Sequence, residues 1–326
     1  MSEGKSVMKA AVLHEVGGIP SYQDFPDPVA GEGEVVIEVK AVAVENVDKM
    51  IAAGQHYASE RYVAQLPAIP GFDGVGVLPD GTLVGFANPI QPYGALAEKT
   101  VVPSGNVTAV PEGLDPVDAV VLSSAMPAMS LRFAARFEPG ATVLIQGATG
   151  VAGRLAVRVA RLLGAGRIVA TGRDDEALQE LAALGVDRVI NTAVPDDQLV
   201  QAFIQAKGDG YDAVLDFLWG RPTELLLRAL VPREFTTAKP TMVVQVGESA
   251  GPVVSVASAS LRTSGVEICG AAKGANPVSM TESYQQIVQW TRAGELTFDV
   301  APTPLNEIES AWQRTDWRGR RLVVLP

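Results

Sequence analysis

Residues 142–163 leave this chain the fewest choices. Thr142-Val143-Leu144-Ile145-Gln146 is a run of strand formers, Gly147-Ala148-Thr149-Gly150-Val151-Ala152-Gly153 interrupts it, and an amphipathic segment follows to residue 163. A buried strand that turns through glycines into a helix opens a βαβ unit. Gly150 has no Cβ, so the backbone there can approach a pyrophosphate. The first helical N–H groups, of Val151, Ala152 and Gly153, then point at its oxygens, and Gly153 lets the helix pack closely on the strand. Thr149 lies in the same turn. One departure is plain: the residue at the first glycine of the usual G-x-G-x-x-G is Ala148. The pattern predicts a dinucleotide site; the alternative is a tight strand–helix turn that binds nothing.

The surroundings of the turn agree with the first reading. From about Pro116, strand and helix patterns alternate: strands at 142–146, 168–171, 188–191, 213–216, 241–246 and 266–270, with helices at 153–163, 175–184, 198–206 and 222–230. Such alternation predicts a parallel sheet. The second strand ends in Thr171-Gly172-Arg173. Sites that prefer NAD place an acid there for the ribose 2′-OH. Here Gly172 leaves room and Arg173 offers a planar fork suited to a 2′-phosphate, which predicts NADP(H). In the competing reading Asp174 or Asp175 folds back to the ribose. Val246 and Gly247, where the fifth strand ends, are further cofactor-binding candidates. Arg154, Arg158 and Arg161 share one helix face, read as solvated or as a phosphate-binding patch.

Before residue 116 the chain reads as short strands broken by Gly and Pro: a β-branched run at 35–42, a hairpin signal at Asp80-Gly81, and a strand candidate at 95–102. A helix at 280–293 and a strand at 321–325 follow the alternating part. Composition removes several classes of function. A net charge of −11 argues against nucleic-acid or anionic-membrane partners. One cysteine, Cys269, excludes an internal disulfide and a CxxC pair, and two histidines, His14 and His56, leave little for a multi-histidine metal centre. No secretory signal and no apolar run of spanning length is evident, so a cytoplasmic protein is expected.

Several segments together resemble the medium-chain dehydrogenase/reductase superfamily, in its zinc-free, quinone oxidoreductase-like branch. They are Met8-Lys9-Ala10-Ala11-Val12, Pro70-Gly71-Phe72-Asp73-Gly74-Val75-Gly76, Gly94-Ala95-Leu96-Ala97-Glu98, Tyr211-Asp212-Ala213-Val214-Leu215-Asp216, and Pro304-Leu305 through Gly319-Arg320-Arg321-Leu322-Val323. The resemblance covers nearly the whole chain. It implies an α/β fold, a doubly wound Rossmann sheet at 118–274 plus a GroES-like β-barrel catalytic domain formed by 1–117 and 275–326. It also implies a homodimer paired through the last Rossmann strand. The zinc enzymes of this superfamily carry Cys near residue 46 and His in a G-H-E segment. Here the loop reads Glu45-Asn46-Val47-Asp48 and the segment Gly71-Phe72-Asp73, so the zinc ligands are missing and no metal site is expected.

The resemblance then implies NADPH-dependent reduction of a quinone or an α,β-unsaturated carbonyl compound, with the nicotinamide in the interdomain cleft. Val44-Glu45-Asn46-Val47-Asp48 is similar to the branch's V-N-P-x-D loop, with Val47 for Pro, which makes Asn46 a catalytic candidate as a donor to a developing oxyanion. Capping the helix that starts there is its alternative role. Tyr57 is the second candidate, as hydrogen-bond or proton donor to an enolate, against a packing role under the Pro-rich loop. His56 reads as a surface residue and Asp73 as a structural hydrogen bonder. Trp219 stands where the branch has a small residue and is expected to narrow the cleft. Arg320 is expected to help Arg173 with the 2′-phosphate. An enoyl-thioester reductase of the same fold and a non-catalytic NADP(H)-binding sensor are the rival functions.

Overall fold

The computed structural model describes residues 6–232, 234, 238–315 and 317–326. The chain divides into two compact units, one of residues 1–122 with 298–326, the other of residues 123–297. The first unit opens with an antiparallel pair, β1 (Val7–Val12) and β2 (Ser21–Pro26). The long strand β3 (Glu34–Val44) follows, then the helix Asn46–Ala52, β4 (Asp73–Val77), β5 (Leu83–Ala87), β6 (Lys99–Pro103) and β7 (Val107–Ala109). Asp80-Gly81 joins β4 to β5 as the sequence predicts, with Val77 opposite Leu83. A β-bulge between Val39 and Ala41 reverses the parity of β3. Ile37 and Val39 before it, and Val42 and Val44 after it, face one core; Ala41 and Ala43 face a second core with Val75, Val121 and Val323.

The strand expected at 95–102 begins only at Lys99, because residues 95–97 make their backbone bonds elsewhere. Ala95 and Leu96 donate to the carbonyls of Gly71 and Pro70, and Leu96 accepts from Ala11.

The second unit carries six strands: β8 (Thr142–Gln146), β9 (Arg167–Gly172), β10 (Arg188–Asn191), β11 (Ala213–Asp216), β12 (Thr241–Gln245) and β13 (Val266–Gly270). All pair in parallel, in the order β10-β9-β8-β11-β12-β13. Chain order runs outward from β8 to β10, then reverses across β8 to β11. Ligands of open α/β sheets bind where that reversal opens a crevice at the carboxyl ends of the strands, here after Gln146 and Asp216. Leu144, Val169, Phe203, Tyr211, Val214, Leu226 and Val243 fill the core between sheet and helices.

Two strands return to the first unit. β14 (Val300–Pro304) lies parallel to β15 (Arg321–Leu325), and β15 pairs antiparallel with the end of β3. The boundaries differ from the sequence reading. The helix Pro277–Arg292, expected within the catalytic module, groups with the second unit, and the first unit resumes at Phe298. Arg158 of that second unit binds the carbonyl of Thr297, which ties the end of this segment there. Among the described residues no helix is long and apolar enough to cross a membrane.

Candidate functional site

The glycine turn after β8 is built by its neighbours. Gly147 donates its N–H to Thr171 Oγ1 (3.0 Å) and Ala148 to the Thr171 carbonyl (2.8 Å), so the end of β9 fixes the turn. The helix starts at Val151, two residues before the sequence reading, with Gly150 as its N-cap and no side-chain cap. The amides of Val151, Ala152 and Gly153 therefore have neither an intrahelical acceptor nor a capping side chain. At Gly153 a Cβ would stand 2.2 Å from the Gly147 carbonyl oxygen and 2.5 Å from Ala148 Cα, so the helix sits directly on the turn. At Gly150 the nearest atom to a Cβ is 3.7 Å away, and the space above the turn is open. A bare helix end with open space before it fits a pyrophosphate.

The end of β9 fits a 2′-phosphate. A Cβ at Gly172 would stand 2.5 Å from the Thr149 methyl and 3.0 Å from Leu178 Cδ2, so the strand end is closely packed there. Arg173 is exposed, and its guanidinium has no partner among the described residues. The two acids offered as the alternative are committed elsewhere. Asp174 caps the helix Asp175–Glu180 through the Ala177 N–H (2.8 Å), and Asp175 accepts from Asn191 Nδ2 (2.7 Å). Helix geometry, not ribose recognition, explains why they follow Arg173.

Both readings of the three-arginine face are corrected. Arg154 is buried, ion-paired with Glu180, and its Nε reaches the Thr149 carbonyl. Arg158 binds the Thr297 carbonyl at 2.8 Å. Arg161 binds the carbonyls of Gly185 and Ala165 and pairs with Asp187. Each long side chain bridges to the next segment, so the face is neither solvated nor free for phosphate.

Across the sheet reversal, Val246 and Gly247 both donate to the Asp216 carbonyl (2.8 and 3.1 Å) and line the end of β12. Sequence reasoning missed Asp216 itself as a site residue. It is fully buried, and one carboxylate oxygen accepts the N–H groups of Leu218 and Trp219, both at 2.9 Å. Its other oxygen accepts from Thr223. Burial raises its carboxyl above the usual range; Thr223 and the two amides oppose that shift.

In the first unit, Asn46 is exposed at the first position of the helix Asn46–Ala52, and its amide group has no partner among the described residues. The capping role belongs to Glu45. Glu45 and Asp48 form a capping box in which Asp48 accepts the Glu45 N–H at 2.7 Å. Tyr57 is 94% exposed, its ring against His56 at 4.1 Å, so it does not pack under the loop. His56, expected on the surface, is half-buried, and its Nδ1 accepts from the Ala58 N–H. Arg320 is exposed.

A buried charge cluster underlies this helix. Burial pushes the Asp48 carboxyl up to about 7, with the Glu45 carboxylate adding to the shift and the Glu45 amide and Arg321 opposing it. Asp73 accepts no hydrogen bond among the described residues, contrary to expectation. Burial, then the Asp48 and Glu45 charges, hold it well above the ordinary carboxylate range. Arg321 answers them, with one nitrogen 3.0 Å from Glu45 Oε1 and another on the Val44 carbonyl. These residues stand in separate segments of the sequence, and nothing in the sequence joined them into one cluster, because Arg321 is far away in the chain. Among the described residues no group of three or more His, Cys, Asp or Glu could hold a metal ion.

The strand order and the bare helix end at its reversal make the second unit a Rossmann dinucleotide-binding domain. Residues 152–291 match the family model described as zinc-binding dehydrogenase. That match lies within the second unit and spans neither position 46 nor position 72. A probable NADPH-dependent quinone reductase of Emericella nidulans is 25% identical over 94% of this chain and 96% of its own length. A 2-haloacrylate reductase of a Burkholderia species is 26% identical over 71% and 73%. The quinone oxidoreductase of Thermus thermophilus, whose structure was solved also in complex with NADPH, is 30% identical, with a TM-score of 0.77 over 98% of this chain and 100% of that one. The chain belongs to the medium-chain dehydrogenase/reductase superfamily, in its quinone oxidoreductase-like branch. It is an oxidoreductase with a Rossmann and a GroES-like domain.

Proposed function

We propose that this oxidoreductase uses NADPH, works without zinc, and reduces a quinone or an α,β-unsaturated carbonyl acceptor. The observation that carries the cofactor choice is the end of β9, where Arg173 is unpartnered among the described residues while Asp174 and Asp175 are committed to capping and to Asn191. When bound, NADPH supplies the hydride. The amides of Val151, Ala152 and Gly153 hold its pyrophosphate, with Thr149 and Gly150 shaping the turn beneath. Arg173, beside the side-chain-free Gly172, binds the 2′-phosphate. Val246 and Gly247 border the second half of the crevice.

The acceptor class rests on the chemistry of its relatives and on the side chains of the first unit. Quinones and acrylates share a carbonyl that gathers negative charge as hydride adds. The exposed, uncommitted amide of Asn46 can donate to that oxygen, which is where stabilisation counts most. The solvent-facing hydroxyl of Tyr57 can return a proton to the product. No thiolate or imidazole stands in 45–48 or 71–73, so the metal that would stabilise an alkoxide in alcohol oxidation has no ligands in those segments. The test is NADPH oxidation against quinones, enones and enoyl thioesters, with and without a chelator. Chelator-insensitive turnover of quinones or enones is expected. Preference for enoyl thioesters would shift the substrate class, and binding without turnover of any of the three would make the chain a sensor.

A further inference from the structure

The first unit holds a charge imbalance that its hydrogen bonds do not settle. Glu45, Asp48 and Asp73 share the guanidinium of Arg321. Arg321 gives one nitrogen to Glu45 Oε1 and another to the Val44 carbonyl, and its Nε is buried with no acceptor among the described residues. Neither Asp48 nor Asp73 has an ion pair of its own among the described residues. With every member ionised, the cluster would keep two negative charges in excess of its cation. Buried carboxylates without a partner take up a proton instead. Asp48 is buried, and its carboxyl, pushed up to about 7, exchanges between its two states near neutral pH.

The same acid has a way out. Asp48 lines a narrow cavity with Tyr62 of the short helix Ser59–Tyr62, walled otherwise by mainly apolar groups that include Leu13, Ile51, Ile69 and Phe72. The cavity has room for about one water molecule. Tyr62 is half-buried, and its hydroxyl donates to Asn88 Oδ1 at 2.7 Å. Burial raises that phenol above its ordinary value, Arg61 opposes the shift, and the Asp73 and Asp48 charges add to it, so the hydroxyl senses both acids. Asp48 stands two residues after Asn46 in the first turn of one helix, with Asn46 exposed and Asp48 buried. We propose that the Asp48 carboxyl stores the proton that completes the reduction and passes it, through this cavity and the Tyr62 hydroxyl, to the acceptor at Asn46. The acceptor gains a hydride with its electron pair from NADPH, which is oxidised to NADP⁺, and then needs one proton. The Asp48 O–H bond breaks to give it, the electron pair stays on the carboxylate, and solvent restores the proton afterwards. Exposed Tyr57 draws directly on solvent; Asp48 is a source inside the protein.

This inference rests on the reductase reading, and one experiment separates the two. In a single turnover with a quinone, NADPH absorbance follows hydride transfer and a pH indicator follows proton uptake from solvent. Below pH about 7, wild-type hydride transfer is expected to run ahead of uptake, because Asp48 gives its proton first. Asp48→Asn keeps an acceptor for the Glu45 amide. In it the two signals should coincide, kcat should fall about 100-fold, and the decline of kcat above pH about 7 should vanish, with NADPH affinity unchanged. Tyr62→Phe keeps the ring and the acid. It should also bring the two signals together, yet retain the carboxylic-acid infrared band that titrates near 7 in the wild type and that Asp48→Asn lacks. This second variant decides the matter if Asp48→Asn melts below the wild type. Coincident signals in the wild type, or an unchanged pH profile in Asp48→Asn, overturn the proton store and leave the reductase reading standing. A wild type that oxidises NADPH with no acceptor overturns the reductase reading itself, and the proton store with it.

Discussion

Arg173 carries the sharpest expectation among single residues. The chain is strongly acidic, so a 2′-phosphate needs a local cation, and at the end of β9 only Arg173 is exposed and uncommitted among the residues 172–176 that follow the strand. A hydrogen bond to a charged group is worth about 1.5–3 kcal/mol. Arg173→Ala should weaken NADPH by about 10- to 150-fold and leave NADH nearly unchanged, read as the ratio of kcat/KM for the two cofactors. A retained NADPH preference would place the selecting cation elsewhere. Asn46→Ala should lower kcat by about 100-fold with little change in NADPH affinity, since it removes one oxyanion donor and no cap. Asp48 is tested through pH. Its carboxyl titrates near 7 in the folded chain and near 3.8 in the ordinary state, so between those values unfolding releases a proton and stability declines as pH rises. Asp48→Asn keeps an acceptor for the Glu45 amide and has no such titration. Its stability relative to the wild type should therefore grow from pH about 4 to about 7 and level off above, in denaturant melts at fixed pH values; parallel curves would refute the assignment. The sequence singles out Arg173 by the end of its strand and Asn46 by the resemblance of its loop, and the structure leaves both exposed, with no partner for either side chain among the described residues. The Asp48–Asp73–Arg321 cluster was not legible, because β15 brings its cation across most of the chain.

The strands of the second unit were readable almost to the residue, and β10, β11 and β13 match the expected bounds. Apolar runs of strand length bounded by Gly or Asp carry their own punctuation. The helices were less exact. The helix after β8 begins two residues early because its N-cap is a glycine with no side-chain signal, and the segment 175–184 changes from α-helix to 3₁₀ after Glu180. Strand 95–102 was overread because tertiary contacts to residues 70, 71 and 11 claimed its first half. Trp219, after β11, takes a positive φ of 55° that has no local sequence signal, since the loop around it is tied to Asp216 and to residues 249 and 250. The glycine turn offers a paired test of element against site. Gly153→Val puts a Cβ into backbone at 2.2 Å and should cost about 3 kcal/mol or more of stability. Gly150→Ala meets nothing closer than 3.7 Å, so it should lose only the N-cap preference of glycine over alanine, about 1 kcal/mol or less, yet bind NADPH more weakly. Equal melting of both variants would mean that the helix does not rest on the turn.

At the scale of the whole molecule, the open edge at β13 bears on assembly. β13 closes one side of the parallel sheet and pairs only with β12 among the described residues, half-exposed along its length. An apolar unpaired edge is a template for a second strand. Light scattering at micromolar concentration should give a homodimer, and Glu or Pro substitutions at Ile268 should shift it toward monomer; a monomeric wild type would refute the pairing. The division of the chain also sets an order of events during synthesis. Residues 123–297 form one unbroken stretch that the ribosome can release as a complete folding unit, whereas the first unit waits for residues 298–326. Both β14 and β15 lie in that stretch, with β15 laid against the end of β3, so residues 42–44 of β3 lack this partner strand until it emerges. Arg321 arrives with them. Until then the Glu45 carboxylate lacks the guanidinium that pairs with it in the finished unit. Delivering the neutralising charge last makes the final strand the latch on the barrel: a nascent chain stalled before it should hold a finished Rossmann domain and a first unit still open to proteases and chaperones.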